Sequence, residues 1–491
     1  MNGERGNESS ACALSKPKVL GLWLVSLILL LLFIGRPPVT RTQEARVLET
    51  SRQMLGTSVQ GWLIPHINGK PRLEKPPLSY WMTATAYSLF RVGEGIGRIP
   101  VAIIGWLTLA IVYVISKHAF GFSPSPGTPG EERGSLPAYR ARGQEAQKIA
   151  LFSCASLLGS YIFFRHVRLA ETDAPAMLFV TIAIGAIWRS ASDPRARWFH
   201  LAAAAMGMAI MAKGAPAVFA FLFFLGFCAI ERRWDLLRRF VRVGALVTFL
   251  VIALPWFVYI GVTLGFGTFL FELRNTSEGG NHFDWPTIYI PYIFAAAAPW
   301  SILLPFALYD AIKNWKTVAD VRITLIWFLA ILVPLCINGN KQIHYLLMLM
   351  PPTMILIGWR IARFKMEIQK PFIALLAIVP LFMPIIVGVV IPSYIRHNPR
   401  TTAAQIGQLG AKSYIFYGQN VSLTLCFNLR SAIPSAVDEK QLLQMSSPGT
   451  IVIAQTKNAT APPPLPSQFV HRLQVACEDQ LFDCYEFEPN P

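Results

Sequence analysis

Two acidic residues stand where chemistry on a membrane lipid could take place. Glu44 lies in a polar segment after the first long apolar run, and Asp173 lies in RHVRLAETDAP, where a later apolar run begins. An ionisable group at a membrane boundary is costly without a partner, so both are candidate catalytic carboxylates that could take a proton from an attacking hydroxyl group. For Asp173, capping of the helix that starts beside Pro175 is an equal alternative, and Glu171 is an alternative acid.

Basic side chains occur in the loops expected on the same side of the membrane as these acids. They are Lys75 in LEKPP, Arg165, Arg168, Lys213 in MAKGAP and Lys341 in NGNKQIHY. Their position opposes the usual preference of basic residues for the cytoplasmic side, and an anionic phosphate bound by charge-assisted hydrogen bonds would explain it. Contact with ordinary anionic lipid heads is the alternative for any one of them.

Two further groups of polar residues could take part. In the first polar segment, a helix is predicted over 43–55, on which Arg46 and Glu49 could pair or simply face water. The loop 263–285 contains His282 among several glycines, so it could close over a substrate. His282 could act as an acid or base near neutral pH, although a structural role is the commoner fate of a lone histidine.

The composition indicates the elements that must hold these residues. Of 491 residues, 53% are apolar and only 14% are charged, whereas soluble domains have about 25% charged residues. This composition predicts an all-α polytopic membrane protein. The net charge of +17 comes from short basic segments between apolar runs, so membrane topology explains it and nucleic acid is not an expected partner.

Apolar runs long enough to cross a bilayer predict about eleven or twelve transmembrane helices. The runs are 19–35, 98–116, 149–164, 174–189, 199–213, 215–231, 243–262, 286–308, 322–338, 343–358 and 372–392. Leu78–Phe90 is too short to cross and is rich in aromatic residues, so we expect an interfacial helix on the outer side. With the N-terminus inside, every inner loop carries Lys or Arg, which places both candidate acids on the outer face.

Three parts of the chain are therefore expected. They are a cytoplasmic tail (1–18), a transmembrane domain (19–392) and an outer α/β domain (393–491). The transmembrane domain includes a first outer loop (36–97) with interfacial helices and a disordered Pro/Gly-rich insert (117–148). In the outer α/β domain, which forms the C-terminal tail, strands are predicted near 414–417, 450–454 and 484–487 and a helix over 438–445. The cysteines of this tail could form a disulfide. No zinc-type spacing occurs, although paired acids could hold a divalent metal.

Several motifs together resemble the GT-C glycosyltransferases of the ArnT-like (aminoarabinose transferase) and protein mannosyltransferase group. They are QEARVLETSRQML, WLIPHINGKPRLEKPPLSYW, GRIPVAIIGWLT, TDAP at 172–175, AKGAP at 212–216, HxxxPxxY at 282–289, PW at 299–300 and KQIHYLLMLMPP at 341–352. The resemblance covers residues 40–352. It implies a GT-C fold in a bacterial inner membrane, a polyprenyl-phosphate sugar donor, and transfer on the periplasmic face that modifies lipid A or another envelope component.

The resemblance also implies roles for particular residues. Lys75, Lys341 and Tyr345 would contact the donor phosphate, and Asp173 would be the second acid. Arg168 is a further candidate phosphate ligand by its charge, and Glu74 and Lys213 are candidate supporting residues. The family has a catalytic Asp in a D-E-x-R pattern, which here is Gln43-Glu44-Ala45-Arg46. An amide cannot act as a base, so either Glu44 replaces the Asp or this branch is altered or inactive.

The predicted function is transfer of a sugar from a polyprenyl phosphate to a lipid, glycan or protein acceptor, with inversion at the anomeric carbon. A flippase for lipid-linked sugars is the alternative from another class. Transporters tend to contain internal repeats and charges near the membrane midplane. Here the charges cluster at one face, which favours the enzyme.

Overall fold

The computed structural model describes residues 16–122, 136–267, 270, 285–339, 341–418, 421–456 and 465–489. The chain divides into two compact units. The first, called the helical unit, comprises Met1–Leu32, Glu74–Pro76 and Val101–Ile385. The second, called the mixed unit, comprises Phe33–Leu73, Pro77–Pro100 and Ile386–Pro491.

The helical unit is built mainly from apolar α-helices. They are α1 (Lys16–Leu31), α5 (Glu94–Phe122, from Val101 on), α6 (Leu136–Leu158), α7 (Tyr161–His166), α8 (Asp173–Ser192), α9 (Ala196–Lys213), α10 (Ala217–Ile230), α11 (Trp234–Arg242), α12 (Ala245–Ala253), α13 (Pro255–Leu264), α14 (Tyr289–Ala296), α15 (Leu304–Lys313), α16 (Ala319–Ile337), α17 (Met350–Ala362) and α18 (Met366–Ile385). Short 3₁₀ helices occur at Pro286–Ile288, Trp300–Leu303 and Ile343–Leu349.

Close packing in this unit depends on small residues. Gly358 of α17 lies against α6, where an added Cβ would stand 2.6 Å from the backbone nitrogen of Ser153 and 2.9 Å from its Cα. Only glycine lets the two helices approach so closely. This use of small residues is typical of helices that pack within a membrane, where apolar burial gives little driving force.

The length of the helices identifies only some of the predicted membrane spans. Among the described residues, five helical segments are long and apolar enough to cross a membrane, and a sixth results if the bent pair α12–α13 is one span. Two shorter apolar helices, Pro17–Leu31 and Ala217–Ile230, also occur. The all-α polytopic fold is confirmed, and the number of crossings stays a prediction.

The Pro/Gly-rich insert predicted over 117–148 is shorter than expected. Helix α5 continues to Phe122 and α6 begins at Leu136, so both ends of that range are helical. The intervening residues 123–135, which contain the Pro and Gly cluster, lie outside the described residues.

The mixed unit combines the first loop with the C-terminal tail. Its first part contains α2 (Thr42–Met54), α3 (Val59–Leu63), α4 (Leu78–Leu89) and a hairpin of β1 (His66–Ile67) and β2 (Lys70–Pro71). The helices predicted over 43–55 and 78–90 are thus present as α2 and α4. The interfacial position of α4 stays a prediction.

The tail of the mixed unit carries a five-stranded sheet in the order β4-β3-β5-β7-β6. The strands are β3 (Ser413–Tyr417), β4 (Ser435–Ala436), β5 (Thr450–Gln455), β6 (Phe469–Cys477) and β7 (Gln480–Phe487), with helices α19 (Ile391–Ser393), α20 (Pro399–Gly407), α21 (Leu423–Leu429) and α22 (Glu439–Met445). Strand β3 is parallel to β4 and β5, and β7 is antiparallel to β5 and β6. The three predicted strands and the predicted helix are present, and the sequence missed β4 and β6.

Both faces of this sheet are buried. Ile451 and Ile453 of β5 pack into one apolar cluster with Phe416, whereas Val452 and Ala454 pack into another on the opposite face. The alternation follows from the two-residue period of a strand. The side chains of β5 are therefore apolar on both faces, as expected for a central strand.

The C-terminal tail contacts the first loop within the mixed unit, and the predicted domain boundary at residue 393 stays a prediction. Helix α2 packs against α21, and Asn68 Nδ2 lies 3.6 Å from Cys426 Sγ. The tail cysteines Cys426, Cys477 and Cys484 are free and buried, so the possible disulfide is not formed. Burial raises the pKa of each thiol to about 12, which keeps it protonated and unreactive at neutral pH.

Candidate active site

Asp173 and Lys213 form a buried ion pair in the helical unit. Asp173 is the first residue of α8 and Lys213 the last of α9, and Lys213 Nζ donates to Asp173 Oδ1. The two side chains are 2% and 10% exposed. Each charge occupies the helix end that its sign favours, a carboxylate at an N-terminus and an ammonium at a C-terminus. The antiparallel hairpin of α8 and α9 therefore positions the pair.

The second oxygen of Asp173 is available for chemistry. Asp173 Oδ2 is buried and has no hydrogen-bond partner among the described residues. A buried carboxylate oxygen is usually hydrogen-bonded, so an unsatisfied one calls for an explanation, and a bound substrate group is one. The arrangement holds the carboxylate by one oxygen and leaves the other to accept a proton or a donor from a substrate.

Two aromatic residues of the 3₁₀ helix Ile343–Leu349 adjoin this pair. Lys213 Nζ lies 4.6 Å from the centroid of the Tyr345 ring, a cation–π distance. The ring of His344 meets that of Tyr345 edge to face at 4.7 Å. Tyr345, which the resemblance implied as a donor contact, therefore lies beside the Asp173–Lys213 pair.

His344 lies near a second buried pair, formed by His166 and Glu171, that the sequence did not predict. The rings of His344 and His166 are 6.1 Å apart, and His166 Nδ1 lies 3.2 Å from Glu171 Oε2. All three side chains are buried. Glu171, the alternative acid, is thus engaged with a histidine five residues earlier, and spacing alone gave no sign of His344.

Lys341 is used in a way that the sequence did not predict. Its Nζ donates to the carbonyl oxygens of Cys336 at 2.9 Å and Asn338 at 2.5 Å, at the end of α16. A third carbonyl, that of Leu335, lies 3.4 Å away. The side chain is 6% exposed. These contacts satisfy carbonyl groups that the helix end leaves unpaired, so they favour a capping role over the predicted phosphate contact.

Arg168 is also held by protein groups. It is 3% exposed, its Nη2 donates to the carbonyl oxygen of Leu32 at 2.5 Å, and its guanidinium lies 5.0 Å from the Phe164 ring. The contacts tie the α7–α8 loop to the end of α1. They do not favour the predicted phosphate role.

The roles of Lys75 and Glu74 stay predictions. Both side chains are only partly buried, and both belong to the helical unit together with Asp173. Lys75 is therefore more accessible than Lys341 and Arg168, the two other basic residues predicted to bind the phosphate.

Glu44 lies in the mixed unit and is fully engaged there. Its Oε1 and Oε2 accept from Arg98 Nε at 2.7 Å and Nη2 at 2.9 Å, and both side chains are 1% exposed. Arg98 Nη1 donates to the carbonyl oxygens of Ile34 and Pro37. A bidentate buried pair is strong and directional, so these contacts favour a positioning role for Glu44 over that of a base.

Tyr87 lies in a part of the mixed unit that is shielded from solvent. Its hydroxyl oxygen is buried without a hydrogen-bond partner among the described residues. Burial, followed by the nearby Glu44 carboxylate, raises the pKa of Tyr87 well above its usual range. An added Cβ at Gly97 would meet this hydroxyl at 2.6 Å, so only glycine fits there.

The remaining predicted residues fall outside these clusters. Gln43 is exposed on α2, and Arg46 is partly buried. Glu49 accepts from Arg52 at 2.8 and 2.6 Å and from Gln53 at 2.6 Å. His282 lies outside the described residues. Within the described part of the chain, no group of three or more His, Cys, Asp or Glu residues could hold a metal ion, and the possible divalent metal stays a prediction.

Comparison with solved structures identifies the fold. The structure superposes on the crystal structure of ArnT from Cupriavidus metallidurans bound to undecaprenyl phosphate with a TM-score of 0.76 at 17% identity, covering 96% of this chain and 98% of that one. It also superposes on the Archaeoglobus fulgidus oligosaccharyltransferase with a TM-score of 0.50 at 11% identity, covering 87% of this chain and 65% of that one. The predicted GT-C fold of the ArnT type is confirmed.

Sequence comparisons agree with this class. The family described as dolichyl-phosphate-mannose-protein mannosyltransferase matches residues 139–259. The undecaprenyl phosphate-alpha-4-amino-4-deoxy-L-arabinose arabinosyl transferase 1 of Pseudomonas fluorescens is 24% identical over 74% of this chain and 61% of its own length. The corresponding transferase of Pseudomonas aeruginosa PAO1 is 26% identical over 64% of this chain and 54% of its own length. The matches thus span less than two thirds of these curated relatives, and the resemblance to ArnT-like proteins is confirmed.

Proposed function

We propose that this chain is an integral-membrane glycosyltransferase that moves a sugar from a polyprenyl phosphate to a hydroxyl group of a lipid, glycan or protein acceptor. The observation that carries the proposal is the Asp173 carboxylate, which is held by Lys213 through one oxygen while the other is unsatisfied. The relatives named arabinosyl transferases, and the ArnT structure with bound undecaprenyl phosphate, support the donor class.

In this mechanism Asp173 is the general base. Its Oδ2 takes the proton of the acceptor hydroxyl as the acceptor oxygen bonds to the anomeric carbon of the donor sugar. The bond from that carbon to the phosphate oxygen breaks on the opposite side, so the configuration inverts and polyprenyl phosphate leaves. Lys75 neutralises the charge that develops on the departing phosphate, and Tyr345 lines the donor site.

Lys213 is a positioning residue in this mechanism. Its ammonium fixes the carboxylate by Oδ1 and packs over the ring of Tyr345. Removing it would leave a buried carboxylate without its counter-charge, which costs about 3–5 kcal/mol and would protonate or displace the base. The base and the donor-site tyrosine are thereby aligned by one cation.

We place the reaction on the periplasmic face of a bacterial inner membrane. The basic residues of the predicted inner loops support this orientation. A long apolar donor explains why the enzyme is embedded in the membrane.

The test is turnover of a polyprenyl-phosphate sugar by the full chain in lipid. We expect Asp173→Asn to lower kcat per folded enzyme by about 10²–10⁴, the usual contribution of a positioned base, and also to lower the melting temperature, because Lys213 is left buried without its counter-charge. The matched control is Asp310→Asn, which removes another carboxylate that pairs with a basic side chain, Arg360, at 2.7 Å. Unchanged turnover by Asp173→Asn would refute its role as base.

An inactive scaffold is the second candidate, because Gln43 replaces the family acid and Glu44 is locked to Arg98. Failure of the wild-type chain to consume any polyprenyl-phosphate sugar would favour that candidate. Movement of the intact donor between leaflets without cleavage would instead favour the flippase.

A further inference from the structure

A small cavity lies between α5, α8 and α9 of the helical unit, far from the Asp173 pair. Its volume is about 150 Å³, and its walls are apolar side chains such as Ile115, Ile182 and Leu201. Arg189, which also lines it, lies 16 residues after Asp173 on α8, so the two are roughly 24 Å apart at 1.5 Å per residue. The cavity is therefore separate from the candidate active site.

Basic and aromatic residues near the helix ends line the same cavity. Arg189 and His118 reach it from α8 and α5, and the indole rings of Trp188 and Trp198 complete the lining. Tryptophan and arginine near helix ends are typical of the membrane–water interface, where the apolar part of the side chain lies in the bilayer and the polar part meets water. The cavity thus has an apolar interior and a basic, aromatic rim.

The charge at this rim is positive after all described ion pairs are considered. One carboxylate, Asp193, is shared by Arg189 at 3.8 Å, Arg195 at 3.0 Å and Arg197 at 3.4 Å, and it also accepts from Trp198 Nε1 at 2.9 Å. Three guanidinium groups around one carboxylate leave an excess of two positive charges. Arg189 is still 30% exposed, so it can reach an additional anion.

We propose that this cavity, named here the α5–α8–α9 slot, binds one anionic phospholipid of the cytoplasmic leaflet. An acyl chain lies along Val114, Ile115 and Leu201, and the phosphate diester is bound by Arg189 with His118 beside it. Charge complementarity selects this occupant, because a basic pocket between transmembrane helices on the inner side fits an anionic head group. The positive-inside rule assigns this end of α8 to the cytoplasm.

The test is a lipid titration of the purified full chain in neutral detergent. Dioleoyl phosphatidylglycerol and dioleoyl phosphatidylcholine, which share their acyl chains, are added in parallel, and the melting temperature is followed. A ligand that binds only the folded state raises the melting temperature with its concentration. We expect phosphatidylglycerol to give the larger shift at each concentration, and equal shifts by the two lipids would overturn the proposal.

Two variants locate the effect. Arg189→Gln should weaken the apparent affinity for phosphatidylglycerol about five- to tenfold, the effect of one basic residue near a membrane surface. The matched control is Arg363→Gln, since Arg363 is also exposed and also stacks on a tryptophan, with its guanidinium 4.8 Å from the Trp359 ring. An equal loss in both variants would mean general charge attraction and would overturn the proposal.

A third variant fills the slot without touching a charge. Val114 is 60% exposed and lines the slot. Val114→Trp should reduce the shifts produced by both lipids, whereas a full phosphatidylglycerol shift in this variant would place the lipid elsewhere. Because Val114 faces outward, this measurement also serves if Arg189→Gln fails to fold.

Discussion

At the residue scale, two buried ion pairs hold their carboxylates in different ways. Arg98 binds both oxygens of Glu44, whereas Lys213 binds one oxygen of Asp173 and leaves the other unsatisfied. A carboxylate whose oxygens both accept from one buried guanidinium is fixed in place and serves as an anchor. Asp173 therefore carries the proposed chemistry and Glu44 holds the first loop.

The anchor role of Glu44 predicts a stability effect. Glu44→Gln should destabilise the protein by about 3–5 kcal/mol, because Arg98 is left buried without its counter-charge. Thermal unfolding measures this loss. Glu486→Gln is the control, since Glu486 pairs with Arg472 at the surface, where a pair contributes about 0–1 kcal/mol. A normal melting temperature with abolished turnover in Glu44→Gln would instead make Glu44 the base.

Lys341 allows a similar separation of roles. If it caps α16, Lys341→Met should lower the melting temperature and leave the KM for the donor within about threefold, because only carbonyl groups lose a partner. Lys75→Met should do the reverse, raising the KM about tenfold or more through loss of one charge-assisted contact. Steady-state kinetics with a melting curve for each variant checks both. A raised KM for Lys341→Met at unchanged stability would restore its predicted phosphate role.

At the scale of elements, helix ends bring the site together. Asp173 begins α8, Lys213 ends α9, and His166 ends α7, while Tyr345 lies in the 3₁₀ helix before α17. Residues at helix ends converge only if the helices pack in register along their whole length. Packing far from the site is therefore expected to affect it.

The contact of α6 with α17 tests this expectation. Gly358→Ala should destabilise the protein by about 1–3 kcal/mol, since the new methyl group would stand 2.6 Å from the Ser153 backbone nitrogen. Gly143→Ala on α6 is the control, because nothing lies within 4 Å of its added Cβ. There the higher helix propensity of alanine should stabilise the protein by up to about 1 kcal/mol. Equal melting temperatures for the two variants would show that α6 and α17 tolerate a wider separation.

At the scale of the whole molecule, each compact unit is assembled from segments that are separated in the sequence. The mixed unit takes Phe33–Leu73 and Pro77–Pro100 from the first loop and adds the C-terminal tail to them. Arg400 of the tail pairs with Glu94 and donates to the carbonyl oxygens of Gly35, Arg36 and Pro37. The tail thus contributes to the fold of the loop that carries Glu44.

This arrangement predicts the result of truncation. A chain that ends at residue 392 should express poorly or aggregate, because α2 loses the apolar surface of α21 and Glu94 loses Arg400. Size-exclusion chromatography of the detergent extract checks this. Arg400→Gln is the milder comparison and should lower the melting temperature while the protein remains monodisperse. A truncated chain that behaves like the wild type would show that the tail is an independent domain.

The sequence by itself determined the membrane class, the helices α2 and α4 and the central strands of the tail. It also named Asp173, Lys213 and Tyr345 as candidate site residues, which the structure brings together. These features follow from local apolar periodicity, from composition and from short motifs, and they can be predicted without knowing which distant residues are in contact. Only the tertiary structure decided which cation each carboxylate meets. Arg98 lies 54 residues after Glu44, and Lys213 lies 40 residues after Asp173, so no local pattern identifies these partners. The same holds for Lys341, whose charge suggested a phosphate but whose ammonium binds the end of the preceding helix, because helix packing fixes its direction.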